Sequence, residues 1–151
     1  MKEKTASRRL RRIARAAASD IKKNIDVLTG SSWVGVYEDS LYEVPGEGPV
    51  DYRIPPEDIL ITFKSRGKGD STFIADRLIV YEGQNYPETF YGSVSPEGRI
   101  LMNSLTDTDI VIGEINRKAG TLSFLFFDNG DFDSSLGSQT AVGTYVFGSL
   151  L

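Results

Sequence analysis

Gly30-Ser31-Ser32-Trp33-Val34-Gly35-Val36-Tyr37-Glu38 is the junction at which two kinds of sequence meet, and it holds the sole tryptophan of the chain. Apolar residues before it recur at Leu10, Ile13, Ala17, Ile21 and Leu28, with Ala14 and Ile25 on the same stripe. Steps of three, four and seven predict one amphipathic helix from Thr5 to about Leu28, capped by Thr5 or Ser7 and stopped at Gly30. Ser19-Asp20 offers an alternative cap for a second, separate helix. After the junction the period changes to two, and short β-rich runs alternate with Gly, Pro, Asn and Asp.

Eight runs read as strands: Ser32 to Glu38, Asp58 to Lys64, Thr72 to Tyr81, Thr89 to Ser95, Arg99 to Ser104, Asp109 to Ile115, Thr121 to Phe127 and Thr140 to Phe147. Ser95-Pro96-Glu97-Gly98 and Asn116-Arg117-Lys118-Ala119-Gly120 are hairpin turn signals, and short turns between successive strands make an antiparallel meander. The expected fold is mainly β: an eight-stranded antiparallel up-and-down β-barrel preceded by a basic N-terminal α-helix, since closure removes exposed edges. The expected division is a helical arm over residues 1–29 and a barrel domain over residues 30–151. Asp39 to Glu57, rich in Pro and acidic residues, reads as a long loop, a lid or docking segment.

Charge follows the same division. Met1 to Asp26 carries nine Lys/Arg against Glu3, Asp20 and Asp26, a net of +6, which leaves eight basic and 18 acidic residues, or −10, for the remainder. Such a chain suits an anionic partner at one end. Arg8, Arg9, Arg11, Arg12 and Arg15 are the candidate partner-binding residues, because each guanidinium offers a bidentate fork to phosphate or carboxylate. The competing reading is a solvated helix whose stripe packs on its own barrel.

The 151 residues contain neither cysteine nor histidine. This excludes disulfides, thiol nucleophiles, Ser-His-Asp and Cys-His mechanisms and the common zinc sites. The expectation is a non-enzymatic protein with no cofactor and no metal. Asp128-Asn129-Gly130-Asp131-Phe132-Asp133 has hard oxygen ligands, but its spacing misses the EF-hand pattern and reads as a turn. Ser65-Arg66-Gly67-Lys68-Gly69-Asp70 lacks the phosphate-loop spacing and reads as a hairpin loop. Asp76-Arg77, inside an apolar strand, reads as a bulge that sends both charges outward, or else as a buried ion pair. Glu82, Glu88, Asp76 and Glu114 are scattered carboxylates that sequence alone brings to no working pair.

Leu122, Phe124 and Phe126 alternate with Leu125 and Phe127, so the last strands are apolar on both faces. A wall that is oily outside needs a cover, supplied by the helix or, preferably, by a neighbouring subunit. No apolar run reaches the ~20 residues that span a bilayer, and no secretory core follows the arginines. The expected location is intracellular (cytoplasmic) or virion, not secreted, although Arg, Ala and Ser also fit a transit peptide.

The helix, then Leu28-Thr29-Gly30-Ser31-Ser32-Trp33, then a meander to the end of the chain resemble the calycin group of barrels, the lipocalins and avidins. The resemblance covers Thr29 to Leu151. Avidin-like chains carry Gly-x-Trp where this chain has two residues between Gly30 and Trp33, and neither the lipocalin Thr-Asp-Tyr motif nor the biotin-binding pattern is present. The resemblance implies a barrel with Trp33 plugging one end; Trp33, Tyr37, Phe90 and Phe124 are the candidates for its interior or a ligand-lining wall. Two functions follow. The first is a structural subunit docked by its basic helix on protein subunits of a larger assembly, such as a virion or pigment-protein complex, or on an acidic surface or nucleic acid. The alternative is a calycin-like carrier of a small apolar ligand.

Overall fold

The computed structural model describes residues 2–30, 32–44, 48–51, 59–67, 70–106, 109–128 and 140–149, with side chains for residues 5–30, 32–35, 59–67, 70–106 and 109–125. One helix and nine strands follow in order: α1 (Lys2–Thr29), β1 (Ser32–Val44), β2 (Gly48–Asp51), β3 (Ile59–Ser65), β4 (Thr72–Tyr81), β5 (Gln84–Val94), β6 (Arg99–Ser104), β7 (Ile110–Asn116), β8 (Thr121–Asp128) and β9 (Thr140–Ser149).

α1 is unbroken through Ser19-Asp20, so the separate second helix does not form. Lys22 and Asp26, four residues apart, pair at 2.6 Å along it. Its end is tied by the Gly30 amide donating to the Asp26 carbonyl (3.1 Å) and the Thr29 hydroxyl donating to the Ile25 carbonyl (2.8 Å). These bonds satisfy carbonyls that a helix end leaves without partners.

Every strand pairing is antiparallel, and β3 to β9 follow one another as neighbours. β1 pairs with β3 through Ser32, Trp33 and Val34, and along its other edge with β9, from Trp33 opposite Ser149 to Glu43 opposite Thr140. The strand count and the long loop need correction. β1 runs on to Val44 and pairs antiparallel with β2, with Leu41 opposite Asp51 and Val44 opposite Gly48. Pro49 is tolerated there because β2 is an edge strand, where a missing amide costs no ladder bond. Residues 45–47 and 52–57, the rest of the proposed lid, lie outside the described residues. β5 also begins earlier than expected, at Gln84, after a two-residue turn in which Glu82 and Gly83 both take positive φ (49° and 75°). That is the backbone form a tight right-twisted hairpin requires.

Inward side chains alternate as the period of two dictates: Ile59, Ile61 and Phe63 on β3, Phe73 and Ala75 on β4, Phe90 and Val94 on β5, Ile100 and Met102 on β6. Phe63 and Phe73 meet edge to face at 5.2 Å. On β7, Gly113 gives way to its cross-strand neighbour: a Cβ there would lie 2.0 Å from Cδ1 of Phe124.

The last two turns of α1 close one end of this core. Ile25 and Leu28 are buried against it, and Trp33, 1% exposed, donates its indole N–H to the Leu28 carbonyl (3.4 Å). Asn24 is buried as well and donates through Nδ2 to the Ser95 (2.9 Å) and Pro96 (3.3 Å) carbonyls of the β5–β6 turn. Asn24→Ala is therefore expected to cost about 1–3 kcal/mol, because it empties a buried position and leaves two partly buried carbonyls without their donor. Urea unfolding against Lys22→Ala, a change at an exposed position, is the measurement.

Candidate functional site

The end of the inner face away from α1 is built differently. Arg77 follows Phe73 and Ala75 on the inward positions of β4, and Glu88 precedes Phe90 on β5, directly opposite it in register. Both are buried, as is Asp109 at the entrance to β7. The Arg77 guanidinium donates to Glu88 and, at 3.1 Å, to Oδ2 of Asp109. Its carbon lies 5.0 Å from the Phe90 ring centroid, a cation–π distance. Glu88 Oε1 has no hydrogen-bond partner among the described residues.

The bulge expected at Asp76-Arg77 is absent, since β4 keeps unbroken register with β3 and β5. Arg77 points inward, to carboxylates from two other parts of the chain, and Asp76 points outward. Apolar neighbours on both strands leave no reason for an extra residue, and the two charges simply take opposite faces. Asp76 meets Lys64 at 2.6 Å and accepts the Thr89 hydroxyl at 3.0 Å, beside a groove of about 230 Å³ lined also by Leu60, Leu78 and Pro87.

The Lys64 ammonium holds the Asp76 carboxyl below its ordinary value of 3.8, partial burial opposes this, and Thr89 adds to it. A folded value below the unfolded one means that this stabilisation is present above 3.8 and is lost as pH falls through the lowered value. Asp76→Asn should cost only roughly 0.2–1 kcal/mol at neutral pH, the range for an exposed pair. Its deficit in urea midpoint against wild type should shrink to nothing well below 3.8.

The expected site residues are distributed as follows. Trp33, Phe90 and Phe124 are buried, Trp33 at the α1 end and Phe90 beneath Arg77. The Tyr37 side chain lies outside the described residues, as does the segment from Asn129 to Asp133. Arg8, Arg9, Arg11, Arg12 and Arg15 are on the first half of α1, where every residue from Thr5 to Ala16 is exposed. Along the helix, Asn24, Ile25 and Leu28 are buried and Ile21 and Val27 pack beside them, whereas the arginines are exposed.

The sequence reading has Arg77 in a bulge or a buried ion pair and Glu88 as a scattered carboxylate, and joins neither to Asp109; the structure shows the ion pair, with Glu88 and Asp109 as the partners. The signal in the sequence was parity, since Arg77 and Glu88 occupy positions that the neighbouring apolar residues mark as inward.

No helix among the described residues is long and apolar enough to cross a membrane. The described fold is an antiparallel next-neighbour meander behind one helix. No protein-family model matches it, and no curated protein matches it. Among solved structures it is similar to one named Odorant Binding Protein OBP1, with 11% identity and a TM-score of 0.43, covering 80% of this chain and 71% of that one.

Proposed function

We propose that the protein is a non-enzymatic, calycin-like binding protein. In this reading β1 and β3 to β9 close into an eight-stranded barrel, and a small, mainly apolar ligand is held over Phe90 with a polar group turned to Arg77, Glu88 and Asp109. The observation that carries it is the buried charged group itself. Replacing such a cluster with apolar side chains usually leaves stability unchanged or improved, so stability does not account for it. Binding sites of this kind combine apolar walls with a few fixed polar groups.

The test uses Arg77→Met/Glu88→Leu/Asp109→Leu, which keeps the interior filled. Native mass spectrometry of the untagged protein from its own source is expected to find the chain with a bound small molecule, and the triple variant to lose it while keeping the wild-type circular dichroism. A bare wild-type chain, or unchanged occupancy in the variant, overturns the reading.

A second reading, attachment to a larger assembly through α1, is favoured by the exposure of the whole segment from Thr5 to Ala16. It predicts association that weakens steeply with salt and vanishes when Arg8, Arg9, Arg11 and Arg12 become alanine.

A further inference from the structure

The outer face of β6, β7 and β8 carries an apolar row. Leu101 lies opposite Ile112, and Ile112 opposite Leu125, so three large side chains stand side by side across the strands, 48%, 49% and 38% exposed. Beside them is a groove of about 460 Å³, walled by Ile112 and Leu125 and by Glu114, Arg99 and Ser123. α1 packs against β3 and β5, and not on this row.

On α1 the stripe that buries Ile25 and Leu28 continues to Leu10 and Ile13, which are 66% and 55% exposed. The end of this unbroken helix is fixed by Asn24, Leu28 and Trp33. Its first half, exposed from Thr5 to Ala16, does not lie over β6 to β8 of the same chain.

We propose that these two surfaces bind each other between copies of this chain: the projecting half of α1 from one copy docks on the outer row of a second. This rests on the attachment reading of α1 and names its partner. Charge favours it at long range, since a +6 segment meets the −10 remainder of the other copy, while at the groove itself Glu114 stands opposite Arg99. Dimension favours it as well. Leu10 to Ala17 spans about 10 Å at ~1.5 Å per residue, and a row across three strands spans about 10 Å at ~4.8 Å per step. Two arms laid against each other would instead bring like charges together. An anionic lipid surface would engage the arginines but leave the row uncovered.

Sedimentation velocity on the full chain across a concentration series tests it, with two variants. Leu10→Asp/Ile13→Asp damages the arm, and Ile112→Lys/Leu125→Lys damages the row; Ile112→Thr/Leu125→Thr replaces the latter if its circular dichroism departs from wild type. Wild type is expected to self-associate, and each variant to do so at least about tenfold more weakly. An equimolar mixture of the two is expected to recover association, because it joins one intact arm to one intact row. A mixture no better than its components, or an arm variant that associates like wild type, overturns the proposal. So does a wild-type chain that stays monomeric; if that monomer binds phosphatidylglycerol vesicles, the attachment reading survives and the arm–row pairing falls.

Discussion

Arg77→Ala is expected to destabilise the fold by about 3–5 kcal/mol at neutral pH, because it leaves carboxylates buried without the cation that compensates them. Glu88 and Asp109 both accept from the Arg77 guanidinium, and each is at most 9% exposed. Urea unfolding at neutral pH measures this. An Arg77→Met variant as stable as wild type would mean that Arg77 acts by packing over Phe90 and not by charge. The apolar triple variant should differ from wild type by little, or be more stable.

Trp33→Ala should cost about as much, roughly 3–5 kcal/mol, the range for truncating a large buried aromatic residue. The indole is the point at which α1 and the sheet are joined: it is buried between them, pairs in register with Ile61 on β3 and donates to Leu28 at the helix end. The loss should therefore extend beyond the cavity. Amide exchange from Ile21 to Leu28 is expected to quicken more than exchange in β4 or β5, since the helix depends on this packing more than the sheet does. Trp33→Phe, which keeps an aromatic ring in place, should retain most of that protection. Circular dichroism follows unfolding in both variants, because the sole tryptophan signal is gone.

The parts of the fold that were legible in the sequence are those set by local period. The stripe from Leu10 to Leu28 predicts α1, and Thr72 to Tyr81 and Arg99 to Ser104 are read to the residue as β4 and β6. The β1–β2 pairing was hidden because Gly48 and Pro49 are turn and breaker residues in sequence, and cross-strand pairing places them opposite Val44 and Glu43 regardless. The charged cluster was hidden for a different reason. Parity marks Arg77 and Glu88 as inward, but that Arg77 meets Glu88 and Asp109 depends on the register of β4 with β5 and on the path from β6 to β7. Local sequence does not encode such register.

The pairing of β1 with β9 also governs the order in which the chain can fold. Trp33 lies opposite Ser149, so β1 leaves the ribosome well before β9 and waits for it before this edge is satisfied. Until then β1 and β8 both expose unpaired amides and carbonyls, templates for pairing with other chains. Local hairpins such as β4–β5 and β7–β8 can form early, but joining strands so distant in sequence carries a large loop-closure cost before any contact repays it. Folding should accordingly be slow, on the millisecond-to-second scale of β topologies with distant pairings. The nascent chain is most prone to aggregate in the interval between the emergence of β8 and the docking of β9.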